Sequence, residues 1–127
     1  MKDMIYTSKR STREVLAEGS YKTYLYQIIS YGTHPCAYVK IARNHPWFNK
    51  YYDDMNIDCH GGLTYGRHGH NDYWIGWDYS HYGDYNGSEE MFPEDVRMGG
   101  KKYTTEEIFE DVKHVIDQLE EVENEQV

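Results

Sequence analysis

The chain has 127 residues, of which 39% are hydrophobic and 28% are charged, and its formal net charge is −9. This length predicts one domain spanning residues 1–127, with a single core. Every apolar run is far shorter than the roughly 20 residues that a membrane helix needs. The first residues also lack the apolar segment of a signal peptide. We therefore expect a cytoplasmic protein that makes no contact with membranes.

Charge is distributed unevenly along the chain. Residues 1–44 hold seven Lys or Arg and three Asp or Glu, whereas residues 45–127 hold six and 19. A protein this acidic is a poor binder of nucleic acid, because binding depends on phosphate contacts. The acidity suits either plain solubility or a basic partner surface. Cys36 and Cys59 form no CxxC pair and are expected to be free, buried thiols.

The first half of the chain predicts a short helix and a hairpin. The capping-box pattern that runs from Ser11 to Glu14, followed by Gly19, predicts a helix over residues 12–18. The next segment, 21–31, is dense in aromatic and β-branched residues, which indicates a strand. A turn then leads into a second predicted strand over residues 36–41.

The middle of the chain predicts two further strands around a polar turn. Residues 45–54 are aromatic without a period of two and are predicted to form a loop with one helical turn. Residues 57–65 are predicted to form a third strand, distorted by a bulge at Gly61 and Gly62. Residues 73–79 are predicted to form the fourth strand. The segment 80–102 is longer than an ordinary loop, which favours either a functional loop or a further regular element that the pattern does not reveal.

The C-terminal segment carries the clearest helix pattern. Thr104 to Glu107 form a capping box, and apolar residues then recur at helical spacing through Val122. The opposite side is acidic, with nine Asp or Glu and one Lys from Thr104 onwards. Residues 123–127 are expected to fray. The predicted fold class is therefore α+β: a four-stranded antiparallel sheet, a short N-terminal helix and a long amphipathic C-terminal helix.

Histidines, carboxylates and aromatic rings concentrate between residues 34 and 84. Along the fourth strand, alternation places Trp74 and Asp78 on one face and the odd-numbered residues in the core. Trp74 is therefore the better binding candidate, because rings of this kind stack on nucleobases. The paired glycines offer backbone N–H groups to an anion. The candidate ligand-binding residues are His60, Gly61, Gly62, Trp74, Asp78, His81 and Asp84.

Two other interpretations of the same cluster stay open. His60, Asp78, His81 and Asp84 have the ligand types of a two-metal phosphoesterase site, although no helix enforces their spacing. Alternatively, these groups only hydrogen-bond the long loop onto the sheet. No cofactor is predicted.

The chain also resembles a known group of proteins. His45-Pro-Trp-Phe48, His60-Gly-Gly-Leu-Thr-Tyr65 and Gly76-Trp-Asp-Tyr-Ser-His-Tyr-Gly-Asp84, followed by one terminal helix, resemble small proteins encoded by phages and prophages of Gram-positive bacteria. The resemblance covers roughly residues 36–122. It implies an accessory role in host takeover or counter-defence. Some such proteins sequester nucleotide immune signals of the cyclic ADP-ribose type, and others are acidic inhibitors of nucleases such as CRISPR effectors.

Three functional hypotheses follow, in this order. The first is a non-enzymatic protein that sequesters a small nucleotide, with Trp74 on the base, Gly61 and Gly62 near phosphate, and the Asp and His groups on ribose or the loop. The second is an acidic inhibitor of a basic, nucleic-acid-binding surface on a host defence nuclease. The third is the metal-dependent phosphoesterase. A homo-oligomer is expected, since an edge strand and many aromatic rings leave surface to cover.

Overall fold

The computed structural model describes residues 13–32, 34–79 and 103–125. Within these ranges five strands form one antiparallel sheet in the order β1-β2-β3-β5-β4. A turn of 3-10 helix, Tyr52–Asp54, precedes β4, and helix α1 covers Thr105–Glu125. The strands are β1 (Glu14–Tyr21), β2 (Tyr24–Ser30), β3 (Pro35–Ile41), β4 (Tyr65–His68) and β5 (Tyr73–Asp78). The α+β class and the C-terminal helix are confirmed, but the sheet has five strands rather than four.

The predicted N-terminal helix at 12–18 is wrong, because this segment is strand β1. It pairs with β2 from Glu14 opposite Ser30 to Tyr21 opposite Tyr24, with one register shift between Val15 and Ala17. The turn between the two strands has positive φ at both Lys22 and Thr23, as a type I′ hairpin turn requires. A helix of seven residues is marginal by itself, so pairing with β2 outweighs the local capping signal.

The glycine pair lies in a turn before β4 and not in a strand, so the predicted bulge is also wrong. Gly61 and Gly62 have φ of 71° and 82°, and the Gly62 N–H donates to the Cys59 carbonyl over 3.0 Å. Strand β4 begins only at Tyr65, where the sequence analysis expected the third strand to end. The helical turn expected within 45–54 is confirmed as the 3-10 turn.

Helix α1 packs on one face of the sheet. Its capping box is confirmed: the Glu107 N–H donates to Thr104 Oγ1 over 3.1 Å, and the Thr104 N–H donates to Glu107 Oε1 over 3.0 Å. The helix extends to Glu125, so it includes residues 123–125 of the segment for which fraying is expected, and residues 126 and 127 lie outside the described residues. None of the helices in the described ranges is long and apolar enough to cross a membrane. Five buried side chains face the sheet: Ile108, Val112, Val115, Ile116 and Leu119.

His45 fastens the loop after β3 to this helix. The residue is 5% exposed, and its Nδ1 accepts a hydrogen bond from the Trp47 backbone N–H over 2.9 Å. Nε2 therefore carries the hydrogen that donates to the Leu119 carbonyl over 2.9 Å. The histidine of the His45-Pro-Trp-Phe48 motif thus has a structural partner at each ring nitrogen.

Candidate functional site

The sheet face opposite α1 is the open face, and its side chains follow from the strand register. Gln27, Tyr38, Gly76 and Tyr65 lie side by side across β2, β3, β5 and β4. The next row along the strands places Trp74 between Lys40 on β3 and Arg67 on β4. Since side chains alternate along a strand, both rows point away from the helix.

These rows form the floor of a groove of about 440 Å³, within the range of small-molecule sites. Four aromatic side chains line it, together with two arginines and one carboxylate, that of Asp72. This local excess of positive groups contrasts with the net charge of −9 for the whole chain. The aromatic and arginine residues of the open-face groove are Tyr31, Tyr38, Tyr65, Trp74, Arg13 and Arg67.

Tyr38 lies flat in the middle of the floor because its neighbour on β5 is Gly76. A Cβ at Gly76 would lie 2.6 Å from the Tyr38 ring, so only glycine permits this close approach. The Tyr65 ring meets Tyr38 at 79°, with centroids 5.2 Å apart. The Tyr31 and Tyr38 hydroxyls lie 3.1 Å apart and hydrogen-bond. Burial raises the pKa of Tyr38 above its usual range, so this hydroxyl stays protonated near neutral pH.

The turn between β4 and β5 forms one end of the groove. The Gly69 N–H donates to the Asp72 carbonyl over 2.8 Å, and the Asp72 carboxylate lies against Gly69. Arg43 Nη1 donates to Asn71 Oδ1 over 2.8 Å, which ties this turn to the end of β3. The groove end is therefore held by contacts on both sides of the turn.

Two of the sequence-predicted candidates, Trp74 and Asp78, lie on the open face. The alternation expected along β5 is confirmed, because Tyr73, Ile75 and Trp77 are buried and Trp74 and Asp78 are only partly buried. Trp74 lines the groove. Asp78 Oδ2 accepts a hydrogen bond from the Thr64 hydroxyl over 3.1 Å.

His60 lies on the other side of the sheet, beside α1. Its ring stacks on Tyr79 with centroids 4.6 Å apart and 10° between the planes. Its backbone N–H donates to Asp111 Oδ2 over 3.1 Å, and the same oxygen accepts from the Tyr79 hydroxyl over 2.8 Å. His60 therefore lies on the side of the sheet opposite Trp74, and Gly61 and Gly62 are not among the residues that line the groove. His81 and Asp84 lie outside the described residues.

The described part of the chain brings together no group of three or more His, Cys, Asp or Glu side chains able to hold a metal ion. Cys36 and Cys59 are free and half-buried. Burial next to Asp111 and Asp58 raises the pKa of Cys59 to about 12. Burial also raises the pKa of Cys36. Both groups are therefore unreactive thiols near neutral pH.

The sequence did not identify several of the groove residues as binding candidates, above all Tyr38 and Arg67. One signal was available for Tyr38: the predicted second strand alternates, with Ala37, Val39 and Ile41 apolar and Tyr38 between them. No comparable signal exists for Arg67, because residues 66–72 have the composition of a turn. Only strand pairing shows that Arg67 is next to Trp74.

Comparison with protein-family models, with curated proteins and with solved structures finds no match for this chain. What the groove binds is therefore inferred from its own shape and charge.

Proposed function

We propose that the protein binds and sequesters a small nucleotide in the open-face groove. The observation that carries this proposal is the convergence of aromatic rings and two arginines on one groove of about 440 Å³. Trp74 and Tyr38 are diagonal neighbours on adjacent strands. The Cα atoms of such a pair are typically about 7–8 Å apart. Their rings offer a stacking surface for a base, and stacking contributes roughly 1–3 kcal/mol per base.

Arg67 supplies the phosphate contact in this proposal. It is directly opposite Trp74 in the register, so a phosphate attached to a base on Trp74 falls within its reach. A guanidinium forms two parallel hydrogen bonds with phosphate oxygens, which adds orientation to charge. Arg13 lines the same groove and supplies a second positive group. A ligand that is both aromatic and anionic matches this lining.

The charge of the chain favours a small ligand over a nucleic acid. A polymer that lies across the sheet extends beyond the groove and meets the field of a chain with net charge −9. A mononucleotide interacts chiefly with the local arginines. Sequestration, one of the two roles suggested by the resemblance to phage proteins, needs only such binding.

Calorimetric titration with a panel of nucleotides, cyclic ADP-ribose included, tests the proposal. We expect saturable binding that weakens at least about tenfold in Arg67→Ala, since a charge-assisted contact is worth roughly 1.5–3 kcal/mol. Lys113→Ala is the control, because it also removes one positive charge, whereas Lys113 pairs with Glu110 on α1, on the other side of the sheet from the groove.

Absence of binding by every nucleotide in the panel would overturn the proposal. Equal losses in Arg67→Ala and Lys113→Ala would also do so, because they would mean that charge alone, and not the groove, attracts the ligand. Tighter binding of a single-stranded oligonucleotide than of any mononucleotide would replace the small ligand with a polymer.

The outer face of α1 favours a second candidate, an acidic inhibitor of a basic protein surface. Glu106, Glu121 and Glu125 are exposed on this helix. Other acids are already paired, since Lys22 Nζ lies 2.9 Å from Asp117 and 3.1 Å from Glu120. Reversing the charge of the three exposed glutamates should abolish inhibition of a target nuclease. Retained inhibition would exclude this candidate.

The metal-dependent phosphoesterase and the homo-oligomer stay predictions. The first needs His81 and Asp84, and a phosphodiester turnover assay with added Mn²⁺ or Zn²⁺ tests it. Sedimentation velocity tests the second.

A further inference from the structure

We infer that Gln27 selects nucleotides whose base carries the 6-amino group of adenine or the 4-amino group of cytosine; this inference rests on the nucleotide groove proposed above. Gln27 lines the groove and neighbours Tyr38 in the register. It is therefore placed at the edge of a base that lies on the Tyr38 ring. Which of its two amide atoms faces that base decides which bases fit.

Glu18 sets the orientation of this amide. The two residues are register partners on β1 and β2, and Gln27 Nε2 donates to Glu18 Oε1 over 3.0 Å. An ionised carboxylate only accepts hydrogen bonds, so the amide must turn its NH₂ group towards β1. The carbonyl oxygen, Oε1, is left on the side away from Glu18, which is the side of Tyr38 and the groove.

An acceptor at this position discriminates between otherwise similar bases. The amine of adenine or cytosine donates a hydrogen bond to Oε1, whereas the carbonyl of hypoxanthine or uracil presents a second acceptor to it. Two acceptors that face each other cannot hydrogen-bond, and both have lost their contact with water. The free energy of binding is therefore less favourable for the base that carries the carbonyl. The geometry therefore points to adenine- or cytosine-type nucleotides as the ligand class.

Two pairs of nucleotides isolate this contact: AMP with IMP, and CMP with UMP. In each pair the amine is replaced by a carbonyl at the same ring position. For the wild-type protein we expect the amine-bearing member to bind about five- to tenfold more tightly, the value of roughly one hydrogen bond. Gln27→Ala should bring each ratio close to one while nucleotide binding persists through the rings and Arg67.

Glu18→Gln tests the positioning role of Glu18 by the selectivity ratio and not by affinity alone. A glutamine at position 18 presents either a donor or an acceptor, so the Gln27 amide turns freely and the preference is lost. Glu14→Gln is the matched control, since it removes a charge from the same strand at a residue paired with Ser30. Thermal unfolding shows that each variant is folded.

The outcomes separate the two proposals. Equal wild-type affinity within each pair, or selectivity that survives in Gln27→Ala, overturns the proposed base selection by Gln27 and leaves the nucleotide-groove proposal standing. Binding of none of the four nucleotides overturns the selection by Gln27, and absence of binding throughout the nucleotide panel overturns both proposals.

Discussion

Trp77 and Trp74 are three residues apart on β5, and they belong to opposite faces of the sheet. Trp77 is 1% exposed, and its indole N–H donates over 3.1 Å to the Tyr79 hydroxyl, which donates in turn to Asp111. Every ring in this series is packed against the helix side of the core. Trp74 instead lies partly exposed beside Arg67, on the wall of the open-face groove.

The two faces therefore use the same residue types for different purposes. On the helix face, polar atoms of the rings find partners within the chain, and the rings stabilise the fold. On the open face, Tyr38 and Tyr65 form an edge-to-face pair in a groove that is open to a ligand. Aromatic content alone does not distinguish these roles, because burial and the neighbouring strand decide them.

The largest expected difference is between alanine variants of the two tryptophans. Trp77→Ala should lower the free energy of unfolding by about 3–5 kcal/mol, because it leaves a cavity in the core. Trp74→Ala should cost under about 1 kcal/mol, as partly exposed positions do, but should weaken nucleotide binding about 5- to 150-fold, the equivalent of one stacking contact of roughly 1–3 kcal/mol. Urea denaturation and calorimetry measure the two effects. Equal stability losses would mean that the two faces do not differ as described.

The next effect concerns hydroxyl groups. Tyr79→Phe leaves the buried Trp77 N–H without its acceptor and should cost about 1–3 kcal/mol in the free energy of unfolding. Tyr31→Phe is the control on the open face, where the hydroxyl pair with Tyr38 is exposed and should contribute under about 0.5 kcal/mol. A comparable loss in both variants, measured by urea denaturation, would contradict the comparison.

Alkaline pH should weaken the helix face. The ordinary pKa of a cysteine thiol is 9.0, and burial raises the pKa of Cys59 to about 12. Above its ordinary pKa the unfolded chain loses this proton while the folded chain keeps it. The stabilisation is therefore complete below pH 9 and falls as the pH rises towards about 12. Tm measured from pH 8 to pH 11 should decline, and the decline should be shallower in Cys59→Ala; identical profiles would exclude this cause.

The smallest effect is a gain. Thr23 has φ of 71°, in the left-handed region that disfavours a β-branched residue. Thr23→Gly should stabilise the protein by about 0.5–1 kcal/mol, because glycine adopts this φ without strain. The variant keeps the ion pairs of Lys22 with Asp117 and Glu120. Tm should rise while nucleotide affinity stays constant. A change in affinity would show that the hairpin turn and the groove are coupled.

Much of the helix side was predictable from the sequence. The capping box at Thr104, the apolar spacing of α1 and the alternation along β5 are all local patterns, and all are confirmed. The segment 12–18 was mispredicted because its helix signal is also local, and pairing with β2 outweighs it. The groove was only partly predictable, since Trp74 was identified from alternation and Arg67 was not.

The sequence by itself determined the α+β class, the C-terminal helix and the face of β5 to which Trp74 belongs. These depend on the periodicity of single segments, which side-chain burial imposes residue by residue. Only the tertiary structure decided that β1 is a strand, that His60 and Trp74 lie on opposite sides of the sheet, and that Gln27, Tyr38 and Arg67 share one groove. Those relations depend on the register between strands distant in sequence, which hydrogen bonds across the sheet establish.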